Sequence, residues 1–342
     1  MAITIKDVAH KAGVSISTVS KVMNHSPSIP DRTADRIFAI MEELHYQPNA
    51  QARSFATQTT KSIVFLAKLE DHTAFDNPHM FEIMCGVQET LAKKNYTLRF
   101  ESVRNAVEAA PLIERIATQR AADGVVVHGS ATTRELTSFL VKSEFPHIVI
   151  GKPPFESRVC WIDTNNHLSG QLAAEHLYTC GYRKIAFVGG EEGDGISGQR
   201  LSGFLSAMEE QRLSVPEGFI KRGKSTKESG FEMALSLFQS SDLPQAVICE
   251  SNSIALGVVK AASAAMLRIP EDIAVVCFDD FPLSRLIDPA PTVVDINVYD
   301  MGTQATAMLL RKIRNPSLQV QSYTTLPTLI VRKSTKTHVN DD

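Results

Sequence analysis

Thr4-Ile5-Lys6-Asp7-Val8-Ala9-His10-Lys11-Ala12-Gly13-Val14-Ser15-Ile16-Ser17-Thr18-Val19-Ser20-Lys21-Val22-Met23 opens the chain with two short helical patterns separated by one glycine. Thr4 and Asp7 have the spacing of a capping box, so a helix is expected over residues 5–12. Gly13 stands where that helix must stop, because glycine ends a helix in the left-handed conformation without a Cβ clash. A second helix is expected over 17–23, and a third over 32–44 brings Ile37, Ile40, Met41 and Leu44 to one face. Two short helices joined by so short a turn form the signature of a helix-turn-helix, whose second helix reads the DNA major groove.

Beyond residue 62 the pattern changes to short apolar runs alternating with amphipathic stretches, the signature of doubly wound parallel α/β. Strands are expected over 63–67, 97–100, 124–127, 148–150, 185–188, 246–249, 275–278 and 293–296, with helices such as 80–93, 171–179, 229–239 and 253–266. That is more than one sheet holds comfortably, which divides the region into two lobes. A chain of 342 residues with 43% apolar content suits two or three domains. The start carries no signal-peptide core, and residues 253–269 are broken by Lys260 and Arg268, so neither export nor a membrane partner is expected. Cys85, Cys160, Cys180, Cys249 and Cys277 lie far apart without zinc spacing, which points to a reducing cytoplasm, plain core thiols, no metal and no cofactor. Net charge is −3 overall, +1 over residues 1–58, so any nucleic-acid contact must come from local placement.

The opening motif Thr4-Ile5-Lys6-Asp7-Val8-Ala9, then Ala12-Gly13-Val14-Ser15 and Ser17-Thr18-Val19-Ser20, resembles the headpiece of the lactose-repressor (LacI/GalR) family. The likeness continues through Tyr46-x-Pro48-Asn49-x-x-Ala52-Arg53-Ser54, Arg183-Lys184-Ile185-Ala186-Phe187-Val188-Gly189-Gly190, Arg200-Leu201-Ser202-Gly203-Phe204 and Phe278-Asp279-Asp280, covering almost the whole chain. It implies a helix-turn-helix headpiece over 1–48, a hinge over 49–60 that becomes helical on DNA, and a periplasmic-binding-protein-like core of two doubly wound α/β lobes over 61–342. The first lobe is expected over about 61–160 and 291–322, the second over about 161–290 and 323–338, with three crossings near 160, 290 and 322. The resemblance also implies a homodimer on a pseudo-palindromic operator in double-stranded DNA. The tail after Ile330 has no leucine heptads, which favours a dimer over a tetramer.

By the same resemblance, DNA specificity falls on Ile16, Ser17 and Lys21. Ile16 can pack on a thymine methyl, Ser17 can donate or accept, and Lys21 can reach a guanine edge or a phosphate. Val14 and Val19 read as the core residues around them. Thr18 and Ser20 either touch phosphate or satisfy the helix backbone. In the hinge, with Asn49, Ala52 and Arg53, the family's usual leucine wedge is replaced by Phe55. An inserted phenyl ring can also open a central minor-groove step, unless it packs on the core instead.

Effectors of this core type bind between the lobes at the carboxyl ends of strands. The resemblance places Arg200 there as a clamp on oxygens, with Asn252 and Asp279 in the second lobe and Phe75, His79 and Phe81 in a first-lobe loop. Two departures alter the pocket: Ser251-Asn252 stands where many members have Asn-Asp, and Gly151-Lys152 where an Asp is common. Two acids are lost, and Lys152 is either a new cation or a solvated loop charge. Gly151-Lys152-Pro153, Asn77-Pro78-His79-Met80-Phe81 and Val294-Asp295-Ile296-Asn297 resemble the maltose-type repressors, which implies an α-glucoside effector.

Enzymatic readings fail on their own chemistry. Gly193-x-Gly195-x-x-Gly198 fits a dinucleotide fingerprint, but Glu191, Glu192 and Asp194 would repel a pyrophosphate. No nucleophile elbow or H-E-x-x-H is present, and His128, His147 and His176 read most simply as satisfied structural residues. An exported sugar-binding protein would share the lobes but carry no headpiece. The expectation is therefore a cytoplasmic, non-enzymatic repressor of carbohydrate uptake or catabolism genes, with activator or dual regulator, answering to a sugar phosphate or other small metabolite, as the alternative.

Overall fold

The computed structural model describes residues 3–23, 26, 28–46, 59–69, 78–319 and 321–336, without the side chain of Leu283. Asn49, Ala52, Arg53 and Phe55, the expected wedge, and Phe75 lie outside the described residues. The chain divides into two compact units, Met1–Lys61 and Ser62–Asp342.

In the first unit, α1 (Ile5–Ala12), α2 (Ile16–Met23) and α3 (Asp31–Glu43) pack around Val8, Ala12, Val19, Val22, Ile37 and Met41. The Asp7 carboxylate accepts from the Thr4 N–H at 2.8 Å and the Thr4 hydroxyl at 2.7 Å, which ties down the first turn. Gly13 takes φ 62°, and the Val14 N–H returns to the Ala9 carbonyl at 3.1 Å. The second helix starts one residue earlier than the sequence suggests. Ser15 serves as its cap, its Oγ accepting from the Thr18 N–H at 3.2 Å, so Ile16 already stands on the helix.

The second unit holds two sheets, each six-stranded among the described residues. The first contains β1 (Ser62–Lys68), β2 (Thr97–Val103), β3 (Gly124–His128), β4 (His147–Ile150), β5 (Trp161–Thr164) and β11 (Tyr323–Thr325), in the order 11-5-4-3-1-2 and all parallel. The second contains β6 (Ile185–Gly189), β7 (Ile220–Arg222), β8 (Ala246–Cys249), β9 (Ala274–Phe278), β10 (Thr292–Asp295) and β12 (Thr328–Ile330), in the order 12-10-9-8-6-7, with only β12 antiparallel. Strand side chains alternate between the faces. Ile63, Phe65 and Ala67 enter one core while Val64 and Leu66 enter the other, so both faces are buried and β1 reads as a continuous apolar run.

The helices α4 (His79–Ala92), α5 (Ala109–Thr118), α6 (Arg134–Ser143) and α11 (Val298–Arg314) cover the first sheet, and α7 (Asn166–Thr179), α8 (Gly195–Glu210), α9 (Lys227–Phe238) and α10 (Asn252–Ala264) the second. The chain passes between lobes after β5, after β10 and after β11. Each crossing thus comes a few residues later than the expected 160, 290 and 322. Strand β5 and β10 each complete the sheet they follow before the chain leaves it, so residues 161–164 belong with the first sheet and 292–295 with the second. The half-exposed β5 and the three-residue β7, β11 and β12 carry too little apolar pattern to be read from sequence.

Candidate functional site

Strand order reverses between β1 and β3 in one sheet and between β6 and β8 in the other, and crevices open at the carboxyl ends of strands at such points. Residues following those strands therefore line the space between the lobes. From the second lobe come Glu250 after β8, Asn252 at the start of α10, Asp279 after β9 and Arg200 on α8. From the first come His79 at the start of α4, His128 at the end of β3, Lys152 after β4 and Asp163 on β5.

Arg200 is brought in by unusually close packing of α7 on α8. A Cβ on Gly170 would lie 1.9 Å from the Arg200 carbonyl oxygen, and one on Gly203 would lie 1.8 Å from the His167 carbonyl oxygen. Arg200 is 3% exposed and stacks over Phe278 with its Cζ 4.3 Å from the ring centroid. Its Nε donates to Asn166 Oδ1 at 3.2 Å and its Nη1 to the Glu250 carbonyl at 2.8 Å. The carboxylates of Glu250 and Asp279 stand 3.9 Å from Nη1 and Nη2. Much of the guanidinium is thus committed inside the protein, with Nη2 left to the Asp279 carboxylate.

Asp279 takes φ 71°, a left-handed backbone that turns its side chain out of the strand direction. Asn252 holds this turn, its amide donating to the carbonyls of Phe278 and Asp279, both at 2.9 Å. Both amide hydrogens of Asn252 are thereby spent on positioning Asp279, so of the expected polar contact to an effector only the Oδ1 acceptor remains, with the Cys277 thiol 4.0 Å away. Asp279 Oδ1 is buried with no hydrogen-bond partner. Burial pushes its carboxyl up to about 6, against the pull of Arg200 and with the Asp295 charge adding. Burial raises Glu250 as well, opposed by Arg200 and by the Ser225 hydroxyl, which donates to Oε2 at 2.9 Å.

Across the cleft, burial holds His79 down at about 4 and His128 at about 3, the Arg200 charge adding to the first and His79 to the second. Both imidazoles are neutral near pH 7. The ring of His79 meets those of His128 and Phe281 edge-on at 6.2 and 6.3 Å. The Ser130 N–H donates to His128 Nδ1 at 3.2 Å, which leaves the proton on Nε2. Asp163 is raised by burial, opposed by the Lys152 and Thr164 N–H groups, which donate to it at 2.8 and 2.7 Å, and by the charges of Arg200 and Lys152. The Lys152 side chain is exposed, its ammonium 5.7 Å from the Trp161 ring centroid. Phe81 is 64% exposed and is not brought into this cluster.

Sequence reasoning missed Glu250, Asp163 and Asn166. Glu250 had a usable signal, since it directly follows a strand at the reversal point; buried Asn166, 34 positions from its partner, had none. The glycine-rich stretch before α8 forms no phosphate loop. Asp194 caps the helix itself, its Oδ1 accepting from the N–H groups of Ile196 at 2.9 Å and Ser197 at 3.0 Å.

In the first unit, Ile16 is 44% exposed although it is apolar, and it lies outside the core cluster that contains Val14 and Val19. Ser17 and Lys21 are exposed beside it, whereas Thr18 and Ser20 are half-buried. The hydroxyls of Ser17 and Thr18 lie 2.8 and 2.9 Å from Ser15 Oγ, the cap of α2.

Comparison with known proteins places these two regions. A family model described as bacterial regulatory proteins, lacI family, matches residues 4–49, and one described as a periplasmic binding protein-like domain matches residues 174–335. The HTH-type transcriptional repressor PurR of Haemophilus influenzae strain PittGG is 32% identical over 337 residues, covering 97% of this chain and 98% of its own. The protein of the same name from Salmonella newport strain SL254 is 33% identical over 335 residues, covering 97% and 96%. Among solved structures, the transcriptional regulator CelR in complex with cellobiose matches with a TM-score of 0.72 and 26% identity, over 97% of this chain and 99% of that one. The lac repressor dimer bound to operator and the anti-inducer ONPF matches with a TM-score of 0.83 and 20% identity, over 98% and 100%.

Proposed function

The chain belongs to the lacI family of bacterial regulatory proteins, and from that premise we propose that its effector is a neutral saccharide, of the α-glucoside class, controlling genes of carbohydrate uptake or catabolism. As a family member it is a DNA-binding transcriptional repressor that dimerises and binds a small molecule, and it is not an enzyme.

One observation carries the effector class: Asp279 presents a buried carboxylate oxygen with no hydrogen bond, 3.9 Å from Nη2 of an arginine already committed to Asn166 and Glu250. Such an oxygen asks for a donor. With Glu250, Asp163 and Asp279 around one buried cation, the cleft favours hydroxyl groups and disfavours an added anion. The neutral His79 and His128 complete it with further uncharged polar groups. The relative solved with cellobiose supports the same class. The relatives named PurR favour a second reading, a purine base, whose ring N–H groups also suit Asp279.

On the DNA side, Ile16, Ser17 and Lys21 are assigned to base edges because they are the exposed residues of one α2 face. Calorimetry with maltose, its 6′-phosphate and hypoxanthine, followed by operator binding with each, tests the effector. Maltose should bind with little change between low and moderate salt. Binding of the phosphate alone, abolished by Lys152→Ala, or of hypoxanthine alone, overturns the saccharide reading.

A further inference from the structure

A cavity of about 230 Å³ opens in the first lobe at the end of the sheet opposite the cleft, beside His147, which starts β4. Its walls are apolar: Val141 on α6, Phe145 and Pro146 before β4, Met308 and Leu309 on α11, and Leu318 beyond it. Lys312 builds the far wall, its ammonium donating to the carbonyls of Pro316 at 2.6 Å and Leu318 at 2.8 Å. The Cys160 thiol donates to the Gln321 carbonyl at 2.7 Å and closes the neighbouring side. The cavity lies against β4, β5 and β11, whereas β2 forms the other edge of the sheet.

The charges around these walls are one-sided. Arg158, Arg311 and Lys312 line the cavity against a single acid, Glu144. Among the described residues neither Arg158 nor Arg311 is paired with an acid, and both side chains are exposed at the rim. His147 adds no charge, because burial depresses its imidazole and the Lys312 charge presses in the same direction. Its Nδ1, 2.7 Å from the Phe145 carbonyl, must carry the proton.

We propose that this cavity is a second ligand site, which takes a small apolar carboxylate with its hydrocarbon body between α6 and α11 and its anionic group at Arg158 and Arg311. An apolar chamber of this size favours a hydrocarbon body, and guanidinium groups at its mouth favour a carboxylate over a neutral head group. The walls offer a polyol few partners, so the ligand class differs from that of the cleft. The wall at Leu318 and Gln321 leads directly into β11 and the third crossing between the lobes, so an occupant would press on a segment the lobes share.

The probe is 2-naphthoate, titrated calorimetrically into the full chain. One saturable site per protomer is expected. Arg158→Gln combined with Arg311→Gln should weaken it about tenfold, and uncharged 2-naphthamide should bind the unaltered protein about as weakly as that. Val141→Trp, which fills the chamber, should abolish binding; should that protein fail to fold, the exposed arginine pair still decides the matter. Absence of saturable binding, or binding indifferent both to the arginines and to the probe's charge, overturns the proposal.

Discussion

Asp279→Asn should make the ligand-free protein more stable at pH 7, although it takes a charged neighbour from Arg200. Burial holds the carboxyl at about 6 in the folded chain against the ordinary 3.8 of an unperturbed aspartate. Between those values the folded chain binds the proton that the unfolded chain releases. Stability therefore falls as pH rises through this window and levels off above it. Two pH units amount to about 3 kcal/mol of penalty at pH 7, of which about 1.5 is recovered at pH 5. Asparagine removes the buried charge but brings an amide that needs its own acceptor, which leaves a net gain of about 1 to 2 kcal/mol at pH 7. The assay is urea unfolding of both proteins at pH 5 and pH 7.5, at one protomer concentration because a dimer's stability depends on it. Glu250 is raised too and is present in both proteins, so the readout is the difference between them. A variant less stable than the parent by the same amount at both pH values would mean that the Asp279 carboxylate is well paired in solution, and the reasoning about the cleft would fail with it.

Effector affinity should fall as pH drops below about 6, because a protonated Asp279 is a poorer acceptor; titrations at pH 5 and 7.5 check this, and equal affinities refute it. Gly170→Ala should cost about 2 kcal/mol or more and weaken effector binding, since its Cβ would lie 1.9 Å from the Arg200 carbonyl and must push α8 away; unfolding and calorimetry measure the two effects. Lys21→Ala with Ser17→Ala should change the half-site bases recovered from a random DNA pool, whereas uniform weakening on all sequences would leave both residues on phosphate. Phe55→Ala should lower specific operator affinity far more than binding to random DNA, and Phe55→Leu should keep most of it; equal losses on the two DNAs would remove the wedge.

The legible parts of the fold were those where one local rule acts alone. The first helices could be placed because Thr4, Asp7 and Gly13 each carry a terminus by themselves, and the central strands because burial on both faces leaves an unbroken apolar run such as Ile63–Val64–Phe65–Leu66–Ala67. The three-residue edge strands β7, β11 and β12 pair on one side only and need no such run, and interior β5 is half-exposed, so these stayed silent, whereas the seven-residue edge strand β2 was read over 97–100. The site divides in the same way. Arg200, His79 and Asp279 stand in motifs, but what each does depends on groups from distant parts of the chain. Asn252 shows the cost of reading position without partners: the family resemblance suggested a ligand contact, and the two carbonyls its amide serves lie 26 and 27 residues away.

Control by an effector requires that the two arrangements of the lobes hold it unequally, since a ligand bound equally well by both shifts nothing. Moving such an equilibrium from 1:99 to 99:1 takes about 5.5 kcal/mol of differential binding. A hydrogen bond to a charged group contributes roughly 1.5 to 3 kcal/mol, so Asp279 alone is too little, and a ligand must engage groups of both lobes at once. A polyol spanning Asp279 on one side and His79 or Asp163 on the other meets that demand with several hydroxyls. The backbone also gives such contacts a path to the crossings. Asp280, the next residue, accepts from Arg332 at 2.5 Å and Arg285 at 2.8 Å, and its N–H donates to Asp295 Oδ1 at 3.2 Å. Asp295 ends β10, where the chain leaves the second lobe, and the same Oδ1 accepts from the Asn297 N–H at 3.2 Å. A pull on Asp279 would therefore reach, one peptide away, a carboxylate that braces a crossing, a route by which occupancy of the cleft would bear on the angle between the lobes.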